Sequence, residues 1–165
     1  MMPRVLFYST LASALGAGVI AGVFFAFSSF VMPALARLPP SQGVAAMQSI
    51  DVTVLTRSFL SVFTGTAVLC SIGAILSLAG WSLPGSKLRI AGGALYVVGT
   101  FLVTMACNVP LNNALAKVSP ESAAAAQMWA DYVPRWTTWN SVRTWAALAA
   151  AAALTLSLVQ SASGD

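Results

Sequence analysis

Trp129, Tyr132, Trp136, Asn140 and Arg143 are spaced three, four, four and three residues apart. At about 100° per residue they fall within an arc of roughly 80° on one helical face, provided the bend at Pro134 is modest. An aromatic wall leading into an amide and a guanidinium suits a flat, oxygenated ring, with stacking surface first and then donors for its oxygens. Trp139 lies just beside this face. The plain alternative is an interfacial belt, because Trp and Tyr favour the headgroup region and Arg snorkels to it. Asn140 and Arg143 tilt the reading toward a site, since both stand at the start of an apolar helix and need partners.

A second pair of amides, Asn108 and Asn112, stands four residues apart with Pro110 between them. The proline is expected to prevent a regular helix and to free the carbonyl of Ala106, so the amides either satisfy that broken turn or face a ligand. If the chain beyond them folds back over the protein, they cluster with Arg143, Arg57 and Asp51 at one end. The chain has no histidine, four Asp/Glu and two cysteines. Cys70 and Cys107 stand alone, so no zinc, non-haem iron, iron–sulfur or histidine haem ligand set is recognisable. No phosphate-binding glycine loop or dinucleotide motif is present either, and the reading assigns no metal and no cofactor. Eight Lys/Arg are scattered without a basic stripe, which leaves nucleic-acid binding nothing to rest on.

These residues must be positioned by helices. With 58% hydrophobic and only 7% charged side chains, the chain cannot cover a soluble surface, so the bilayer is its solvent. Four apolar stretches, at about 5–32, 59–79, 88–107 and 142–159, each approach the roughly 20 residues a spanning helix needs. The expected fold is all-α, a four-transmembrane-helix bundle in a single integral membrane domain over 1–165. Extra helical segments are expected in loops one and three, at about 41–57 and 120–133. Ser41 is a candidate cap after Pro39-Pro40, the segment from Gly43 is free to run straight into the second span, and Pro134 is expected to kink or interrupt the last helix. Ala14, Gly18, Gly22 and Ala26 repeat every four residues and read as a seam for packing within the bundle.

The first apolar run is about twice the 7–15 residues of a signal-peptide core and reads as a retained helix. Arg4 with Lys87 and Arg89 in the short second loop predicts that both termini are cytoplasmic, in a bacterial inner membrane. All four acids fall in loops or tails, which disfavours a proton-coupled transporter. The expected partners are the bilayer and a hydrophobic aromatic small molecule or lipid, with a homo-oligomer open.

Four stretches, Phe24 to Pro40 (FFAFSSFVMPALARLPP), Gly43 to Ile50 (GVAAMQSI), Asn108 to Ala116 (NVPLNNALA) and Trp129 to Thr144 (WADYVPRWTTWNSVRT), resemble the anthrone oxygenase-like family of small integral membrane proteins. The similarity runs in the same order over nearly the whole chain. Fungal members are associated with oxidising anthrones to anthraquinones, so the resemblance implies a cofactor-independent oxygenase of hydrophobic phenolic or quinol-type rings. The family's Asn-x-Pro-Leu-Asn and Trp-Asn-x-x-Arg signatures fall on Asn108, Pro110, Asn112, Trp136, Asn140 and Arg143. Two positions depart from the pattern: Ser141 stands where many relatives carry histidine, and Asp51 where they carry asparagine. The resemblance thus implies Arg143 and Asn140 as oxyanion stabilisers, Asn108 and Asn112 as orienters of ring oxygens, and Trp136 and Tyr132 as stacking surfaces. Asp131 or Asp51 is then the base. The alternative is a non-catalytic protein that binds a lipid or quinone, or an accessory subunit whose polar cluster only locks loop three to the bundle.

Overall fold

In lipid a backbone must satisfy its own hydrogen bonds, and helices do so within one segment. The computed structural model describes residues 4–163, and among these every regular element is helical. We number the helices α1 (Arg4–Leu35), α2 (Pro40–Thr53), α3 (Arg57–Ala79), α4 (Ser86–Leu115) and α5 (Ala125–Ser163). All but α2 are long and apolar enough to cross a membrane, and their outer faces present Leu15, Val19, Val68, Ile72, Ile75 and Val159. The protein is an integral membrane four-helix bundle with an added helix in loop one. The short α3–α4 connection lies at the same end as the start of α1 and the end of α5; α2 and the α4–α5 connection lie at the other.

The prolines do not end the helices. α1 continues to Leu35 and α4 to Leu115. In each, a π-helical segment immediately precedes the proline: Phe27–Val31 before Pro33, and Thr104–Asn108 before Pro110. The wider turn is closed by Met32 N–H donating to Phe27 O and Val109 N–H donating to Thr104 O. Such insertions absorb the bond that a proline ring denies to the α-helical ladder. The expected break at Pro134 is also absent, and α5 is one helix of 39 residues. Ala130 and Pro134 lie on its exposed side, where the carbonyl the proline leaves unbonded is not buried, while Trp129, Tyr132 and Trp136 anchor the opposite side.

Two other boundaries differ from expectation. Pro39, not Ser41, precedes α2, and α2 does not run into α3. The chain breaks at 54–56, where the Thr56 hydroxyl accepts from Phe59 N at 3.3 Å and caps α3. Of the segment expected to be helical over 120–133, only the part from Ala125 is, the residues before it forming turns.

A helix of 39 residues is roughly 58 Å long, against about 30 Å of hydrocarbon. Its first turns therefore stand above the bilayer and build a second core. Within the bundle Ala14, Ala17, Ile20, Phe63, Tyr96 and Leu154 pack together; above it Met32, Val44, Met47, Leu115, Trp129 and Tyr132 form a cap beneath α2. Gln48 Nε2 ties this cap together by donating to Leu115 O and Val118 O, both at 2.9 Å, which fastens α2 to the turn that follows α4. Gly43 is required where α2 crosses α5, because a Cβ there would lie 2.6 Å from Trp129 Cε2. Gly43→Ala is expected to cost about 1–3 kcal/mol, read as a lowered unfolding midpoint in detergent.

The seam assigned to α1 is only partly internal. Ala14 is buried, but Gly18 and Gly22 point outward with no neighbour within 4 Å of an added Cβ. The inward face of α1 is instead built by Ser13, Ala14, Ala17, Ile20, Ala21 and Phe24, with Ala17 and Ala21 one residue, about 100°, around the helix from the glycines. Close approach inside the bundle comes from α4, where Gly92 meets Leu154, Gly93 meets Cys70 and Ala74, and Gly99 meets Ala146.

Candidate functional site

Polar side chains inside an apolar bundle need partners, and these find them where the bundle meets the cap. The π segments carry Ser28 on α1 and Thr104 and Asn108 on α4, and all three turn toward α5. Asn108 Nδ2 donates to Trp136 O at 3.2 Å. Asn140 Nδ2 donates to Phe24 O and to Ser28 Oγ, both at 2.6 Å. Its Oδ1 accepts from Arg143 Nε at 3.0 Å and from a terminal Arg143 nitrogen at 2.8 Å, so Asn140 holds the guanidinium by one edge. The other terminal nitrogen donates to Thr104 Oγ1 at 3.2 Å. The guanidinium carbon sits 3.9 Å from the Phe24 ring centre and 5.1 Å from that of Trp136, a cation laid on aromatic faces.

Arg143 is only 5% exposed, and among the described residues no carboxylate lies within ion-pair distance of it. A buried cation without an anionic contact favours an anion beside it. Three of its five N–H groups are engaged by Asn140 and Thr104, which leaves donors for a guest.

A cavity of about 290 Å³ opens beside it. Its walls are apolar, with Phe24, Phe27, Phe59, Phe63 and Trp136 among them, and its polar groups are Asp51, Thr104, Asn112 and Arg143. Asp51, on α2, receives one hydrogen bond, from Asn112 Nδ2 at 2.9 Å. Asn112 is itself fixed, because its Oδ1 accepts from Tyr132 OH at 2.9 Å and from Trp136 Nε1 at 2.8 Å. Burial pushes the Asp51 carboxyl up to about 6, with the positive charge of Arg143 pulling the other way. The chamber thus pairs an acid–base group that titrates near neutrality with an immobilised cation.

The face read from sequence is one face: Trp129, Tyr132, Trp136, Asn140 and Arg143 are all buried. They do different things. Trp136 and Arg143 line the chamber, Asn140 orients Arg143, and Trp129 and Tyr132 stack behind with ring centres 5.7 Å apart. Asn112 lines the chamber and Asn108 does not; Asn108 clasps α4 to α5. Asp131 and Arg57 are exposed, as is Trp139 at 40%. Asp131 accepts a bond from Gln127 at 3.0 Å on the outer side of α5, so of the two carboxylates named as base only Asp51 reaches the chamber. Ser141 contacts Ser28 at 3.0 Å and is outside the lining.

Two participants escaped the sequence reading: Ser28 and Thr104. Their signal was present in part, as hydroxyls inside apolar spans just upstream of Pro33 and Pro110. Asn140→Ala is expected to strand two buried N–H groups of Arg143 and to lower stability by about 2–4 kcal/mol, visible as a lowered unfolding midpoint in detergent.

A family model described as Anthrone oxygenase matches residues 54–153. The stretch contains Asn108, Asn112, Trp136, Asn140 and Arg143, and begins just beyond Asp51. No curated protein and no solved structure gives a significant match.

Proposed function

The chain belongs to the anthrone oxygenase family, and on that premise we propose that it is a membrane oxygenase of hydrophobic phenolic or quinol-type rings, using the chamber that all five helices line. The observation that carries this reading is Arg143: a buried guanidinium, held at three N–H groups, facing an apolar cavity that also holds Asp51.

An anthrone has a CH₂ opposite its carbonyl. Asp51 removes one of those protons, and the charge that develops on the carbonyl oxygen is met by Arg143, in a site where donors are fixed before the reaction. Asn140 is a positioning residue in this scheme, since both its amide ends are occupied in holding Arg143 to α1. The enolate gives one electron to O₂, and the resulting radical and superoxide combine with a new C–O bond at the former CH₂. The peroxide anion takes the proton back from Asp51. Loss of the remaining C–H proton with cleavage of the O–O bond releases water and leaves a second carbonyl. Anthrone plus O₂ thus becomes anthraquinone plus H₂O, with electrons passing from the ring's own anion to oxygen and no resident cofactor in the scheme. Apolar walls exclude water from the anion.

We also assign the protein to a bacterial inner membrane with both termini cytoplasmic, which puts the chamber at the opposite face. The functional reading is tested by incubating purified, metal-stripped protein with a simple anthrone, with and without air. The expected result is one O₂ consumed per anthraquinone formed, well above the spontaneous rate, and none anaerobically. Uptake equal to the spontaneous background would leave only a lipid- or quinone-binding protein or an accessory subunit.

A further inference from the structure

We propose that the chamber is loaded sideways from the bilayer, through a gap between α3 and α4 at Leu60 and Met105, and that it takes phenolic rings carrying an apolar tail that stays among the acyl chains. The proposal rests on the reading of the chamber as an aromatic-ring site and specifies the class of ring.

Helices α3 and α4 touch at one end and part at the other. Near their short connection Gly93 lies against α3 so closely that a Cβ would come 2.8 Å from Cys70 O. Toward the chamber the space between them is filled by rings, Phe59 stacked on Phe63 at 5.8 Å and Phe63 on Phe101 at 5.2 Å. A glycine contact below and a phenylalanine stack above splay the pair. Past the stack, Leu60 and Met105 line the chamber and are also 40% and 50% exposed on spanning helices. A residue that borders a cavity and the outer surface together is the rim of an opening, and Leu55, lining the same chamber at 63% exposed, continues that rim.

The height of the opening matches the membrane. Leu60 is as far from Ala79 as Met105 is from Ser86, a rise of roughly 28 Å along either helix. The opening therefore stands near the top of an approximately 30 Å hydrocarbon layer, where phenols with greasy tails settle, hydroxyl toward the headgroups. Arg57, one turn above Leu60 and exposed, reaches the headgroup level. At about 290 Å³ the cavity is at the small end for organic ligands, enough for a few fused rings but not for a long chain as well. The gap gives a tail an apolar way out.

The test uses the full chain in phospholipid nanodiscs with an anthrone bearing a long alkyl tail. Leu60→Trp and Met105→Trp should each lower kcat/KM at least tenfold, while Ile75→Trp, on the lipid face of α3 away from the chamber, leaves it unchanged. In parallel, the same molecule with a diazirine in its tail should label 55–60 and 104–105 on illumination, and excess unlabelled anthrone should suppress that labelling. Unchanged kcat/KM in both rim variants, or labelling spread over all lipid faces without competition, would overturn the side opening. Should the parent protein turn over no anthrone, the oxygenase reading fails separately, and the competition-sensitive labelling still decides the opening.

Discussion

Replacing Arg143 by alanine is expected to lower turnover of an anthrone by about 10²–10³-fold, the usual cost of removing a fixed donor from a developing oxyanion. The fold should survive, because Arg143 has no carboxylate in contact to be left stranded, and the loss of a buried charge offsets the Asn140 Oδ1 acceptor left without its donor. Asn140 keeps its two bonds to α1. Arg143→Lys should recover little: a point charge on a flexible stem cannot reproduce the edge-on grip of Asn140 or the seat on Phe24. Steady-state oxygen uptake on variants with unchanged melting behaviour checks both expectations, and normal turnover by Arg143→Ala would remove it from the mechanism.

The second large effect belongs to Asp51. Asp51→Asn keeps an acceptor for Asn112 but no base, so turnover should fall about 10²–10⁴-fold. The parent rate should rise with pH below about 6 and level off above it, because the carboxyl acts when deprotonated and burial has pushed it up to about 6; the variant's residual rate should lack that rise. Stability should move the other way. A carboxyl whose pKa is higher folded than unfolded contributes stability that is complete below its unfolded value of 3.8 and lost as pH rises through about 6. At pH 7 the ionised Asp51 is thus a cost, and because solvent screens a half-buried carboxyl, Asp51→Asn is expected to stabilise the protein by only about 1 kcal/mol. Activity and stability opposed in one substitution would mark Asp51 as a functional group; loss of both would mark it as structural.

Composition and apolar run lengths made the membrane class and the four spans legible, and helical spacing alone placed Trp129, Tyr132, Trp136, Asn140 and Arg143 on one face, which the fold turns inward. What was hidden lay in long-range geometry. Pro33, Pro110 and Pro134 each look like a stop, but a proline is a stop only where nothing accommodates its missing bond. Here π turns do so twice and exposure does so once, so α1, α4 and α5 each run on through a proline. The same π turns bring Ser28 and Thr104 to α5, a juxtaposition no linear pattern announces. The outward turn of Gly18 and Gly22 illustrates the limit of small-residue repeats, which mark a smooth stripe without saying what lies against it. Asp131 and Asp51 were equal as candidate bases until α2 carried only Asp51 over the chamber.

The central claim is that Arg143 is positioned to stabilise an aromatic oxyanion. Titrating the visible spectrum of a hydroxyanthraquinone bound to the Asp51→Asn protein in nanodiscs measures this directly, since that background leaves Arg143 as the chamber's charge. The account predicts that the bound phenol ionises at least about one pH unit lower than the same compound in empty nanodiscs, and that adding Arg143→Gln abolishes the difference. Ionisation at the same pH with and without the guanidinium would contradict it.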